Sequence, residues 1–183
     1  MKKILKITEN WLQEDNDTHL ELLKEHLDQS TADSLDLTNK ILAMNKKISW
    51  DKVSLYECED FHVSMLMIPK GKKIPLHTHP GMHVISKCVW GHFLISCYDW
   101  CEEFPFSGIA KQTANEIVNA ATPACVLEPK KDNIHQIIAL EDCAFINIET
   151  PPYDDEYRKI SYLKVAEELS YKGQPLVKLE VTN

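Results

Sequence analysis

Arginine is almost missing from this chain: Arg158 is the only one among 183 residues. Bidentate contacts to phosphate and guanine favour arginine, and the formal net charge is -8, so a nucleic-acid-binding face finds no support. Long apolar runs are lacking as well. Nothing approaches the roughly 20 residues a membrane-spanning helix needs, and the start, MKKILKITENWLQ, meets Glu9 before any sustained apolar stretch. It does not resemble a secretory signal, so a cytoplasmic location with no membrane partner is expected. The cysteines have no CxxC spacing, which removes the basis for a zinc ribbon or a redox motif. Cys88, Cys125 and Cys143 stand among apolar neighbours in SKCVW, PACVL and DCAFI, where a free thiol behaves as a small buried hydrophobe in a reducing compartment.

What is present points to one globular domain. A composition 44% hydrophobic and 26% charged argues against disorder, and the length suits a single core rather than two. Residues 1–48 read as a mainly helical segment packed on the outside of the remaining chain. THLELLKEHLD at 18–28 places Leu20, Leu23 and Leu27 at helical spacing, and SLDLTNKILAMN at 34–45 does so with Leu35, Leu37, Ile41 and Leu42. From Trp50 the period changes. VSLYE, FHVSMLMI, HVISKCVW, HFLISCYDW, ACVLEP, NIHQIIAL and CAFINIE are short runs rich in β-branched and aromatic residues. Turn signals separate them at PKGK, HPGM, Gly91, FSG (106–108), KKDN and Glu141-Asp142. VAEEL at 165–169 is ambiguous, and PLVKLEV at 175–181 reads as a closing strand. The pattern predicts a mainly β barrel or sandwich over 49–183, with N-terminal helices.

The sharpest local signal is IPLHTHPGMH at 74–83. Residues two apart on a strand point to the same side, so His77 and His79 can aim both imidazoles into one interior. His135, in the apolar run NIHQIIAL, supplies a third imidazole if the barrel brings its strand alongside. Imidazole suits iron, zinc, copper or nickel, so donor type alone does not choose the metal. His83 competes as a ligand, although Pro80-Gly81 disturbs its register.

GKKIPLHTHPGMHVISKCVWG, residues 71–91, resembles the first cupin motif, with Gly71, His77, His79 and Gly91 at the matching points and His83 where a glutamate is usual. More specifically, PLHTHPGMHVISKCVWG, SCYDW at 96–100, NIHQIIAL at 133–140 and ETPPYDDEYRKISYL at 149–163 resemble, in order and spacing, the thiol dioxygenase family of cysteamine dioxygenase and the plant cysteine oxidases. The likeness runs from about residue 35 to about 181. It implies a jelly-roll-like double-stranded β-helix carrying non-haem Fe(II) on His77, His79 and His135, with no organic cofactor. The implied partners are O2 and either a small thiol or a protein beginning with cysteine, the implied product is a sulfinic acid, and oxygen sensing is an implied role. A monomer is expected by the same likeness.

Two departures qualify that transfer. Tyr162 stands at the family's tyrosine position, but Ile160 replaces the cysteine with which that tyrosine can cross-link, so the thioether is expected to be absent. Asn147 stands where the family carries an aspartate near the active site; an asparagine cannot supply a counter-charge to an ammonium. Asp99, in the YDW signature, is a candidate for orienting a histidine or the adjacent loop. Tyr162, Asn147 and Asp99 are therefore the candidate catalytic residues. The alternatives are another cupin metalloenzyme, or a metal-binding regulatory cupin with weakened turnover.

Overall fold

The computed structural model describes residues 1–14, 17–44, 50–101 and 108–182. Three helices come first: α1 (Lys2–Glu14), α2 (Asp17–Asp28) and α3 (Thr38–Met44). Among the described residues eleven strands follow, β1 (Asp51–Glu57), β2 (His62–Ile68), β3 (Lys73–Thr78), β4 (His83–Trp90), β5 (His92–Trp100), β6 (Ile109–Asn119), β7 (Cys125–Leu127), β8 (Ile134–Ala139), β9 (Cys143–Thr150), β10 (Leu163–Tyr171) and β11 (Gln174–Val181).

The strand order identifies the architecture. One antiparallel sheet runs β1-β2-β9-β4-β7 and the other β10-β11-β6-β5-β8-β3. Strands β2 to β9 thus alternate between the sheets except at the β5–β6 hairpin, in the interleaved orders 2-9-4-7 and 3-8-5-6, the winding of a double-stranded β-helix or jelly roll. β1 extends the first sheet and the β10–β11 hairpin the second. Strand β9, CAFINIET, is buried along its whole length, as its unbroken apolar start requires. The bulk of the barrel interior is filled by Leu66, Ile68, Phe93, Ile95, Ile137 and Phe145.

The helices cover the outer face of the first sheet. Ile4, Ile7 and Trp11 of α1 and Leu23 and Leu27 of α2 share one cluster with Val63, Met65, Ile85, Ile146 and Ile148. Their helical period places those side chains on one stripe, and burying five large side chains there contributes on the order of 10 kcal/mol before entropy. Lys87 of β4 is buried beneath this layer, donating to the carbonyls of Ala120 (2.9 Å) and Thr122 (2.6 Å) and lying 3.6 Å from the Asp28 carboxylate at the end of α2.

Three local readings change. The helix expected at 34–45 begins only at Thr38, because Thr31 and Ser34 cap each other's amides and Asp36 takes a left-handed φ of 58°. VAEEL is strand, inside β10. The long strand β6, IAKQTANEIVN, carried no strand signal because its exposed residues are polar; pairing with β5 from His92 to Trp100 holds it. Of the FSG turn, only Gly108 lies within the described residues.

Candidate metal centre

Strand β3 is irregular where the site needs it. Its pairing with β8 shifts between Ile74 and His77, at Pro75, which has no N–H to give the ladder. The freed carbonyl of Pro75 accepts a hydrogen bond from His77 Nδ1 at 2.8 Å, which leaves Nε2 as the lone-pair nitrogen. After the bulge His77 pairs directly with His135 on β8, so the two side chains share a face. His79 lies just past the end of β3. Its backbone N–H donates to the carbonyl of Asn133 (3.1 Å) and its Nδ1 sits 3.3 Å from the same oxygen. Gly81, at φ 67°, then turns the chain back into β4.

The outcome is a near-equilateral triangle. The three ring centroids are 4.7 Å apart in every pair, and the ligand nitrogens all lie within 4.8 Å of one another. All three histidines are buried. Burial holds His77 and His135 below the ordinary imidazole range and, with the nearby His77, pushes His79 down to about 3. Near neutral pH each ring is therefore neutral, the form that binds metal. His135 Nδ1 is buried without a hydrogen-bond partner among the described residues. Clustering three desolvated imidazoles and stranding one nitrogen is unfavourable by a few kcal/mol at least, a cost that a bound cation would offset. The donor set fits a divalent transition metal with three imidazoles on one face and open positions on the other.

The open side faces a cavity. Its apolar wall is Trp50, Leu66, Ile74, Ile137, Phe145 and Ile160; its polar wall is Lys52, Asn147, Glu149, Tyr153 and Tyr162. Tyr162 bridges His77 across the strands, with ring centroids 6.2 Å apart. The Ser161 backbone N–H donates to Thr78 Oγ1, which anchors that segment beside β3. Ile160 lines the same cavity, so the position beside Tyr162 carries an aliphatic side chain and no thiol. Tyr153, in the PPY turn, donates its hydroxyl to the carbonyl of Thr78 at 2.8 Å. Asn147 is held by Ser86, whose hydroxyl donates to its Oδ1 at 2.6 Å.

Two expected residues lie elsewhere. Asp99 does not line this cavity; its carboxylate accepts from the backbone N–H of Asp132, bracing the turn that leads into His135. His83 is outside the cluster and packs edge-on against Trp11 of α1, with centroids 5.7 Å apart. Sequence reasoning missed Glu149 and Lys52. Lys52 Nζ meets both oxygens of Glu149, at 2.9 and 2.8 Å, and His62 Nδ1 is 3.3 Å from Oε2. Burial alone would raise the Glu149 carboxyl, but the bonds from His62 and Lys52 outweigh it and leave the group below its ordinary range. The available signal was the strand period: Glu149 is two residues beyond Asn147 and shares its face.

Fold and cluster together define a double-stranded β-helix, or cupin, protein with a three-imidazole centre. The chain belongs to the family described as PCO_ADO, whose model matches residues 16–180. A relative in Mus musculus, 2-aminoethanethiol dioxygenase, is 32% identical over 182 residues, covering 84% of this chain and 71% of that protein. Plant cysteine oxidase 1 of Arabidopsis thaliana is 33% identical over 114 residues, covering 59% of this chain and 39% of that protein, so the chain spans well under half of the plant relative. A double-stranded β-helix protein from Klebsiella pneumoniae superposes with a TM-score of 0.48 at 13% identity, covering 64% of this chain and 81% of that one.

Proposed function

We propose that this chain is a non-haem Fe(II) thiol dioxygenase, active in the cytoplasm as a monomer, that converts a thiol and O2 into a sulfinic acid. The reaction balances as RSH + O2 → RSO2H, so it needs no separate reductant. The observation that carries the reading is the buried triangle of neutral imidazoles, His77, His79 and His135, lining one cavity together. Membership of a family whose relatives are named for oxidising 2-aminoethanethiol and cysteine supplies the reaction class. The candidate substrates are the N-terminal cysteine of a peptide or protein, and cysteamine.

A ferrous ion held by His77, His79 and His135 would supply the redox chemistry that O2 requires, and its +2 charge, with no carboxylate ligand, would favour the thiolate over the thiol. The protein's own residues do the rest. Neutral rings bind without first losing a proton. Leu66, Ile74, Ile137 and Phe145 keep water from the reacting sulfur. Tyr162 lines the same cavity, and its hydroxyl is the hydrogen-bond donor we assign to substrate or oxygen. Asp99 acts at a distance, through the turn that positions His135.

The test is iron-reconstituted protein given a peptide with a free N-terminal cysteine and, separately, cysteamine, under isotopically labelled oxygen. A product that gains two labelled atoms, and is lost in His135→Ala along with the bound iron, is expected. Full iron occupancy with no oxidation of either thiol would overturn the reading, and would favour a metal-binding cupin in which Asn147 marks lost turnover.

A further inference from the structure

The polar wall of the cavity presents mainly donors. Asn147 has its carbonyl end engaged by the Ser86 hydroxyl at 2.6 Å, which leaves the amide NH2 as the end for the cavity. Glu149, the one carboxylate among the described residues lining the cavity, is already shared. Lys52 covers both of its oxygens and His62 reaches Oε2 from β2, while His62 Nε2 is tied to Ser54 Oγ at 3.0 Å. Such a wall has little free negative charge to attract an ammonium. An ammonium group has three N–H donors, and those of Lys52 that face Glu149 leave one for a ligand. Lys52 retains about 30% side-chain exposure whereas Glu149 retains 4%, so the cation sits on the accessible side of the pair and the anion behind it.

We infer that Lys52 determines specificity: held over the cavity by Glu149 and His62, its ammonium binds the carboxyl-side oxygen of a cysteine-type thiol. Cysteamine lacks that oxygen. Free cysteine offers it as a carboxylate and an N-terminal cysteine as a peptide carbonyl, and both are acceptors for one charge-assisted hydrogen bond. Glu149 and His62 are positioning residues that fix where the cation stands. The inference rests on the thiol-binding reading of this cavity, but not on turnover.

Binding is measured by calorimetry without oxygen, on iron-loaded protein, with free cysteine, a short peptide beginning with cysteine, and cysteamine. In the wild type at least one of the two cysteine ligands is expected to bind more tightly than cysteamine. In Lys52→Met that preference should shrink by roughly tenfold or more, and Lys52→Arg should recover part of it. Because Lys52→Met strands a buried carboxylate, the double variant Lys52→Met/Glu149→Gln is measured beside it; it removes both charges and should show the same loss of preference. Loss confined to free cysteine identifies the carboxylate, and loss on the peptide identifies the carbonyl; either supports the inference. An equal loss on cysteamine, no loss at all, or no binding of any of the three thiols overturns it. Admitting oxygen afterwards separates the two claims, since a thiol bound through Lys52 but left unoxidised refutes the dioxygenase reading alone.

Discussion

The three buried imidazoles should make the metal-free protein acid-sensitive, and His79 gives the magnitude. Its folded-state pKa is pushed down to about 3 from the ordinary 6.5, by burial and then by the adjacent His77. Above the ordinary value both folded and unfolded rings are neutral, and this histidine adds no pH dependence. As pH falls below it the unfolded chain takes up a proton that the folded site refuses, so stability is lost from about 6.5 down towards about 3. Between about pH 7 and about pH 5 the unfolded ring goes from about one quarter protonated to almost fully protonated, a loss of about 2 kcal/mol for one such group. His77 and His135 shift in the same direction from the same principal cause, so each adds to the acid sensitivity with the same sign. The assay is urea unfolding of chelator-treated wild type and His79→Gln at both pH values. Glutamine does not titrate, so the variant should lose about 2 kcal/mol less than the wild type on acidification. Equal losses would refute the argument that this ring is held neutral by burial. Added metal stabilises at the upper pH and is expelled at the lower, so it should steepen the wild-type profile.

Two further perturbations test how the barrel holds the site. Gly91 sits at φ 65° in the β4–β5 turn, where an added Cβ would lie 2.1 Å from the carbonyl oxygen of Asp142; Gly91→Ala should cost more than about 2 kcal/mol in urea unfolding, and a loss below about 0.5 kcal/mol would show that the turn relaxes freely. Lys87→Met keeps the length of a buried side chain but strands the carbonyls of Ala120 and Thr122 and removes the cation beside Asp28, whose carboxylate keeps the Ala124 backbone N–H. A loss of about 2–4 kcal/mol is expected, discounted because Asp28 is partly exposed, together with faster proteolysis of the α1–α2 segment; unchanged stability would mean that the helical layer does not depend on this contact.

Much of the barrel was legible because its strands carry their own signals. HVISKCVW and HFLISCYDW coincide with β4 and β5 residue for residue, since β-branched runs between glycine and proline turns have few other ways to fold. β6 was silent: its pattern is set by solvent on one side and by β5 on the other, and neither leaves an apolar alternation. Lys87 was silent for a related reason. A lysine inside an apolar strand reads as the solvent-facing position, and only the carbonyls of the β6–β7 turn, more than 30 residues away in sequence, explain its burial.

The same contrast holds within the site. HTH, with its two imidazoles on one face, could be read from the period of a strand; that His135 pairs directly with His77 is a fact of register, which depends on the Pro75 bulge. The most instructive case is the pair at 147 and 149. By the family resemblance alone, Asn147 stands where a carboxylate is expected. Viewed along β9, whose alternate residues share a face, the cavity wall still holds a carboxylate at Glu149, with Lys52 and His62 brought to it by β1 and β2. A carboxylate two residues further along one strand faces the same cavity but has different neighbours. What faces a ligand at this wall is then a cation backed by an anion, an arrangement that offers a charge-assisted donor to an oxygen of the ligand and leaves the three imidazoles untouched.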